Sequence, residues 1–320
     1  IGYSFYWIIV SVIAIQTVFV IIAFALIFIE LGFFSFTFGE VNKYLAYSLP
    51  LIPGEVLWWI INVSDRYFIS HLLNITQTGI YSAAASLANL LTLLSWPIGM
   101  VLFPAVSKLW ETGNREKVKN YFQYSMKFFL LLAVPAAVGI YILSKPLLGI
   151  LATPEYEAGA GVLVLLLAVG VTFSGVFLIN EYTIYLVKKT AWLPLINGAG
   201  AVINVVMNII LIPKIGIMAA AISTAVSYLI ISVILIAWGR RHINYGIDFK
   251  FIIKVVIGSA IMAASLWFLN VSSIIGIVLA VTIGTAVYGL SLYLLRIFSR
   301  EDRKVIRGAF SGLGIGVRHS

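Results

Sequence analysis

Apolar residues occupy this chain in long blocks, with sparse and regularly placed polar positions between them. Nine blocks reach the roughly 20 residues a helix needs to cross a bilayer. They predict an all-α polytopic membrane protein with spans at about 5–29, 48–72, 79–105, 123–145, 159–187, 191–212, 216–238, 251–270 and 274–296. The links Lys188-Lys189-Thr190, Pro213-Lys214-Ile215 and Val271-Ser272-Ser273, and the stretch around Asn74, are short enough to force antiparallel hairpins. Pro50, Pro53, Pro97, Pro104, Pro135 and Pro194 fall within or at the ends of spans, where each removes a backbone donor and can bend its helix. Small residues at 83–85, 198–201 and 219–221 permit close helix packing.

Charge adds an orientation. Loops at 30–43, 106–122, 188–190 and 239–250, with the tail after 296, hold nearly all the Lys and Arg, whereas the alternate loops hold only Lys214, with Lys145 at an adjoining helix end. Because basic loops stay cytoplasmic, residue 1 is expected outside and residue 320 inside, in a multi-pass plasma (inner) membrane protein. The net charge of +9 then reports topology, and no nucleic-acid partner is expected. A chain that is 62% hydrophobic and 10% charged, with a mean hydropathy of +1.06, lies outside the soluble globular class. Cysteine is absent, and His71, His242 and His319 have no metal-ligand spacing. No nucleotide-binding loop appears, and among the outer loops only Glu155 and Glu157 offer acids, so neither an enzyme nor a cofactor is expected. The segment 108–119 is expected along the cytoplasmic interface, and 296–310 as an interfacial amphipathic helix or a plain basic tail. The chain begins with Ile1 and enters a span almost directly, as the C-terminal portion of a longer protein would.

The stretch 44–73 carries the candidate chemistry. Glu55, Asn62, Asp65 and Arg66 lie in or just under hydrocarbon, where ionisable groups are costly and usually face a cavity or a partner. At about 100° per residue, Asn62 and Arg66 fall within about 20° of the Glu55 direction, and Asp65 about 80° to one side. That stripe predicts a helix lining a polar interior. Glu181, about 10 Å from Lys188 along its helix, shares the inner half of the membrane with Glu55. The two acids are candidates to couple to H⁺ or Na⁺, or else to order the bundle by hydrogen bonding. Asn62, Asn89, Asn180, Asn197, Asn204 and Asn208 suit sugar hydroxyls, though interhelical bonds are the commoner use of such amides.

The segments LPLIPGEVLWWIINVSDRYFIS (49–70), GIYSAAASLANLL (79–91), YLVKKT (185–190) and LIPKIGIMAAAISTAVSY (211–228) resemble the polysaccharide transporter family. These are the Wzx-type lipid-linked oligosaccharide flippases of the multidrug/oligosaccharidyl-lipid/polysaccharide (MOP) superfamily. The resemblance implies two six-helix lobes rocking about a central cavity, plus a C-terminal helix pair. On that plan residues 1–43 hold the last helix of a truncated N-terminal lobe and a cytoplasmic linker, 44–238 the C-terminal lobe, 239–296 the extra pair and 297–320 a basic tail. The missing N-terminal lobe would be a partner, along with the bilayer. The implied cargo is a polyprenyl-pyrophosphate-linked glycan, flipped from the cytoplasmic to the outer leaflet, with Glu55, Asn62, Asp65, Arg66, Asn180 and Glu181 as the expected cavity wall. A MATE-like cation antiporter and a lipid II flippase share this architecture, and a membrane-embedded glycan polymerase or transferase is the alternative of a different class.

Overall fold

The computed structural model describes residues 2–31, 39, 41–151, 156–157, 161–269, 271 and 273–298. Among these, nine helical stretches are long and apolar enough to cross a membrane. The chain forms two units, 1–46 and 47–320. The first contains α1 (Gly2–Leu31), an apolar helix, and the start of α2 (Val41–Ser48). The tail beyond 298, with His319 and most of the expected amphipathic segment, and Glu155 lie outside the described residues.

The second unit holds α3 (Leu51–Leu72), α4 (Ile75–Asn89), α5 (Thr92–Glu111), α6 (Arg115–Leu151), α7 (Val162–Leu186), α8 (Trp192–Ile215), α9 (Ile217–Gly239), α10 (Phe249–Trp267) and α11 (Ile274–Leu294). Short links enforce the predicted hairpins, and side chains close several helix starts. Asn74 accepts from the Gln77 amide at 2.8 Å, Ser273 from Gly276 at 3.1 Å and Asp248 from Phe251 at 3.0 Å, each supplying a partner to a first-turn N–H that the helix leaves unbonded. α7 is the central helix, packed against α4, α5, α6 and α9, while α8 lies between α3 and α9. α10 and α11 pack on each other and on α6, where the Tyr288 hydroxyl donates to the Leu131 carbonyl at 2.8 Å.

Three details depart from expectation. The span expected at 79–105 is two helices, α4 and α5, broken at Leu90–Leu91. Here the amides of Leu90, Leu91, Leu93 and Leu94 bond three residues back instead of four, and the Thr92 hydroxyl takes up the Asn89 carbonyl at 2.7 Å. Hydroxyls therefore absorb backbone polarity that the break leaves unbonded. The segment 108–119 is no separate interfacial element. It is the end of α5, a tight turn through Gly113 at φ +74° and the start of α6, whose Lys117 amide bonds Asn114 Oδ1 at 3.2 Å. The expected link at 213–215 is also helical, Pro213 included, and only Gly216 at φ +65° separates α8 from α9. A residue with no Cβ meets that single-residue reversal without strain.

Candidate functional site

A cavity of about 710 Å³ opens in the second unit, walled by α3, the α4–α5 pair, α7 and α9. Its polar wall begins on α3. Glu55, Trp58, Asn62 and Arg66 recur at three- and four-residue steps, so a helix places them on one side, and all four line the space. Across it, α4 and α5 contribute Asn89, Thr92, Ser95 and Trp96 on either side of the break, α7 contributes Ser174 and Glu181, and α9 contributes Thr224 and Tyr228. These polar groups share the space with Val63, Ala85, Ala88, Leu167, Val171 and Leu178, a mixed lining that fits a wet recess in a membrane-embedded bundle.

Arg66 is anchored at two points. Its Nε donates to Ser82 Oγ at 3.2 Å and its Nη1 to the Asn62 carbonyl at 3.4 Å, and among the described residues it forms no ion pair. The guanidinium has five N–H donors, so most of the fork remains free for an anion. Asn62 is held by its own Nδ2 bond to the Trp58 carbonyl at 2.9 Å, which turns its Oδ1 outward. Glu55 is exposed in the recess, whereas Glu181 is buried in the wall with the Tyr185 hydroxyl within hydrogen-bonding reach one turn on. The buried Tyr228 hydroxyl borders the same space, beside the Asn62 side chain.

Asp65 borders the cavity but is only 2% exposed, and its carboxylate is fully engaged by protein donors. The Tyr81 hydroxyl and the Thr224 hydroxyl (2.5 Å) donate to Oδ2, and Asn208 Nδ2 (2.7 Å) and Asn204 Nδ2 (3.4 Å) to Oδ1. Asn204 also accepts from Ser64 at 2.7 Å. This network ties α3 to α4, α8 and α9. Asn180 stands apart from the cavity lining. Its Nδ2 bonds the Val176 carbonyl at 2.7 Å, and its Oδ1 accepts from the Tyr245 hydroxyl, which belongs to the α9–α10 linker. Asn197 spans to the Gly54 carbonyl at 3.0 Å and likewise serves a helix contact. The spacing of α3 puts Glu55, Asn62 and Arg66 on one side of the helix and all three line the recess, while Trp58, Trp96, Tyr228 and Ser174 carry no polar signal in the sequence strong enough to single them out. Their shared feature was mid-span placement of an aromatic or hydroxyl group.

Comparison with known proteins places this architecture. Residues 1–160 match the family model described as polysaccharide biosynthesis protein. The probable low-salt glycan biosynthesis flippase Agl15 of Haloferax volcanii is 23% identical over 231 residues, 72% of this chain and 49% of the relative. An uncharacterized membrane protein of Methanocaldococcus jannaschii is 24% identical over 224 residues, covering 68% of this chain and 43% of its own length. The chain spans about half the length of these curated relatives. Among solved structures, the lipid II flippase MurJ in an inward closed conformation aligns with a TM-score of 0.62 at 18% identity, covering 82% of this chain and 57% of that one. With nine helices long and apolar enough to cross a membrane among the described residues, a polar recess in the bundle and a family model spanning half its length, the chain belongs to the polysaccharide biosynthesis protein family and has a helical fold like that of MurJ.

Proposed function

We propose that this protein is a carrier that flips a polyprenyl-pyrophosphate-linked glycan from the cytoplasmic to the outer leaflet by alternating access. The supporting observation is the recess itself: a guanidinium with free donors, amide and hydroxyl groups and two carboxylates in one space inside an apolar helical bundle. Such a passage carries a polar headgroup while the lipid tail stays in the bilayer. The anionic pyrophosphate suits the free face of the Arg66 fork, since guanidinium–phosphate bonds are charge-assisted and bidentate. Relatives named for an activity, Agl15, AglR and MurJ, are flippases, which favours a carrier over an enzyme. Glu55 or Glu181 couples transport to H⁺ or Na⁺ in this reading, and the basic loops put the C-terminus in the cytoplasm.

The same two carboxylates give a second reading some support, since an acidic recess also suits a cationic drug. A lipid II flippase is a third, on the likeness of fold and of sequence to MurJ. Reconstitution separates them. Liposomes containing the protein are loaded with a fluorescent polyprenyl-pyrophosphate oligosaccharide, and an impermeant quencher reports the fraction reaching the far leaflet. Protein-dependent transfer supports the proposal. Transfer of a lipophilic cation against a proton gradient with the glycan lipid unmoved would replace it.

A further inference from the structure

The cavity is zoned, and the basic end is only half of it. On α3, Trp58 and Glu55 precede the middle of the helix and Arg66 follows it. The α4–α5 span returns in the opposite direction, so Trp96, just past its middle, lies on the same side of the membrane centre as Trp58. Glu181, past the middle of α7, is at that end too. Trp58 and Arg66 are eight positions apart, about 12 Å along the axis.

The two indoles are unusual for their depth. Each is within about 5 Å of the middle of its span by helical rise, away from the interfaces where an aromatic belt sits. Both line the cavity, with Trp58 38% and Trp96 70% exposed. Neither ring stacks on another aromatic group or hydrogen-bonds through its N–H among the described residues. Packing therefore does not explain them. Trp59, equally apolar and 58% exposed, is next in sequence but outside the cavity lining.

We propose that Trp58 and Trp96, with the Glu55 and Glu181 carboxylates beside them, form a carbohydrate subsite that grips a sugar ring of the glycan while Arg66 takes the phosphate end. A pyranose has an apolar C–H face and a rim of hydroxyls. An indole covers the first with a large rigid surface, and carboxylates accept from the second. This subsite rests on the proposed function and adds to it the part of the substrate that each end of the cavity reads.

The test compares two probes on the purified protein: undecaprenyl pyrophosphate bearing an N-acetylglucosamine disaccharide, and the same lipid without sugar. Wild type should bind the glycosylated lipid more tightly. Trp58→Ala and Trp96→Ala should each cut that preference roughly five- to tenfold, with the larger loss on the glycosylated lipid, and Trp58→Phe should recover part of it. Trp59→Ala should change neither. Equal wild-type affinity for the two lipids, or an unchanged preference in both alanine variants, overturns the subsite and leaves the carrier reading intact. Failure to bind either lipid overturns the carrier reading itself. Saturable binding of tetraphenylphosphonium that is lost in Trp58→Ala and Trp96→Ala, with no sugar preference in wild type, assigns the aromatic pair to a cation instead.

Discussion

Four donors converge on Asp65, and a carboxylate has about four accepting positions, so its hydrogen-bonding capacity is spent inside the protein. Its neighbour Arg66 keeps most of its donors free. The pair therefore separates into a structural residue and a candidate for binding an anion. Asp65→Ala should strand Tyr81, Thr224 and Asn208 in a buried site and cost about 3 kcal/mol, read as a lower thermal midpoint in detergent. Arg66→Ala should leave that midpoint nearly unmoved and slow glycan-lipid transfer in liposomes at least about tenfold, a loss of about 1.4 kcal/mol of transition-state stabilisation. Wild-type transfer by the Arg66 variant would remove the guanidinium from the proposed mechanism. The shared direction of Glu55, Asn62 and Arg66 was readable from helical spacing, because it depends only on the local period. The saturation of Asp65 was not, since its partners come from positions 16 to 159 residues away. Asn180 was unreadable for the same reason, its partner Tyr245 being 65 residues on.

Whole elements were plainer in the sequence than their interruptions. Hydropathy marks where a helix crosses, but Leu90 and Leu91 are as apolar as their neighbours, so the break between α4 and α5 leaves no trace in it. The one local signal is the polar series Asn89, Thr92 and Ser95, whose hydroxyls and carbonyls bond each other along the backbone. Packing between elements depends on small residues in the same hidden way. Gly175 of α7 lies against the Phe129 ring of α6, and a Cβ there would overlap the ring. Gly175→Ala should destabilise the bundle by about 1–3 kcal/mol, while Gly139→Ala in open space should not, a contrast that parallel thermal melts resolve. A Gly175 variant as stable as wild type would show that α6 shifts freely against α7.

At the scale of the molecule, an ion pair joins the C-terminal helix pair to the bundle. The Asp248 carboxylate, at the start of α10, meets Lys127 of α6 at 3.0 Å. Partial burial pushes its pKa up, but the Lys127 hydrogen bond and charge, the Phe251 amide and the Lys254 charge outweigh that and hold it below the ordinary 3.8. A depressed carboxyl pKa stabilises the folded form above the ordinary value, and the contribution disappears as pH falls through the lower folded value. Docking of α10 and α11 should therefore loosen below about pH 4, by less than about 1 kcal/mol because the pair is partly exposed. Hydrogen exchange of α10 amides between pH 6 and pH 3, corrected for intrinsic rates, should show that loosening in wild type and a flat profile in Asp248→Asn. Equal profiles would sink the linkage. The number of spans was legible at this scale because twenty-residue apolar blocks have few other uses, whereas the contact of α10 with α6 depends on tertiary packing that hydropathy does not encode.

The break at Leu90–Leu91 leaves the two halves of one span held by different kinds of force. Above it, α4 is moored to the bundle by the Tyr81–Asp65 hydrogen bond. Below it, among the described residues, α5 makes no hydrogen bond to α6 or α7 and leans on them through side-chain packing alone, such as Phe103 against Tyr182. Directional bonds resist sliding and greasy surfaces do not, so in the proposed carrier the α5 half is the side of the recess expected to yield to a bulky headgroup.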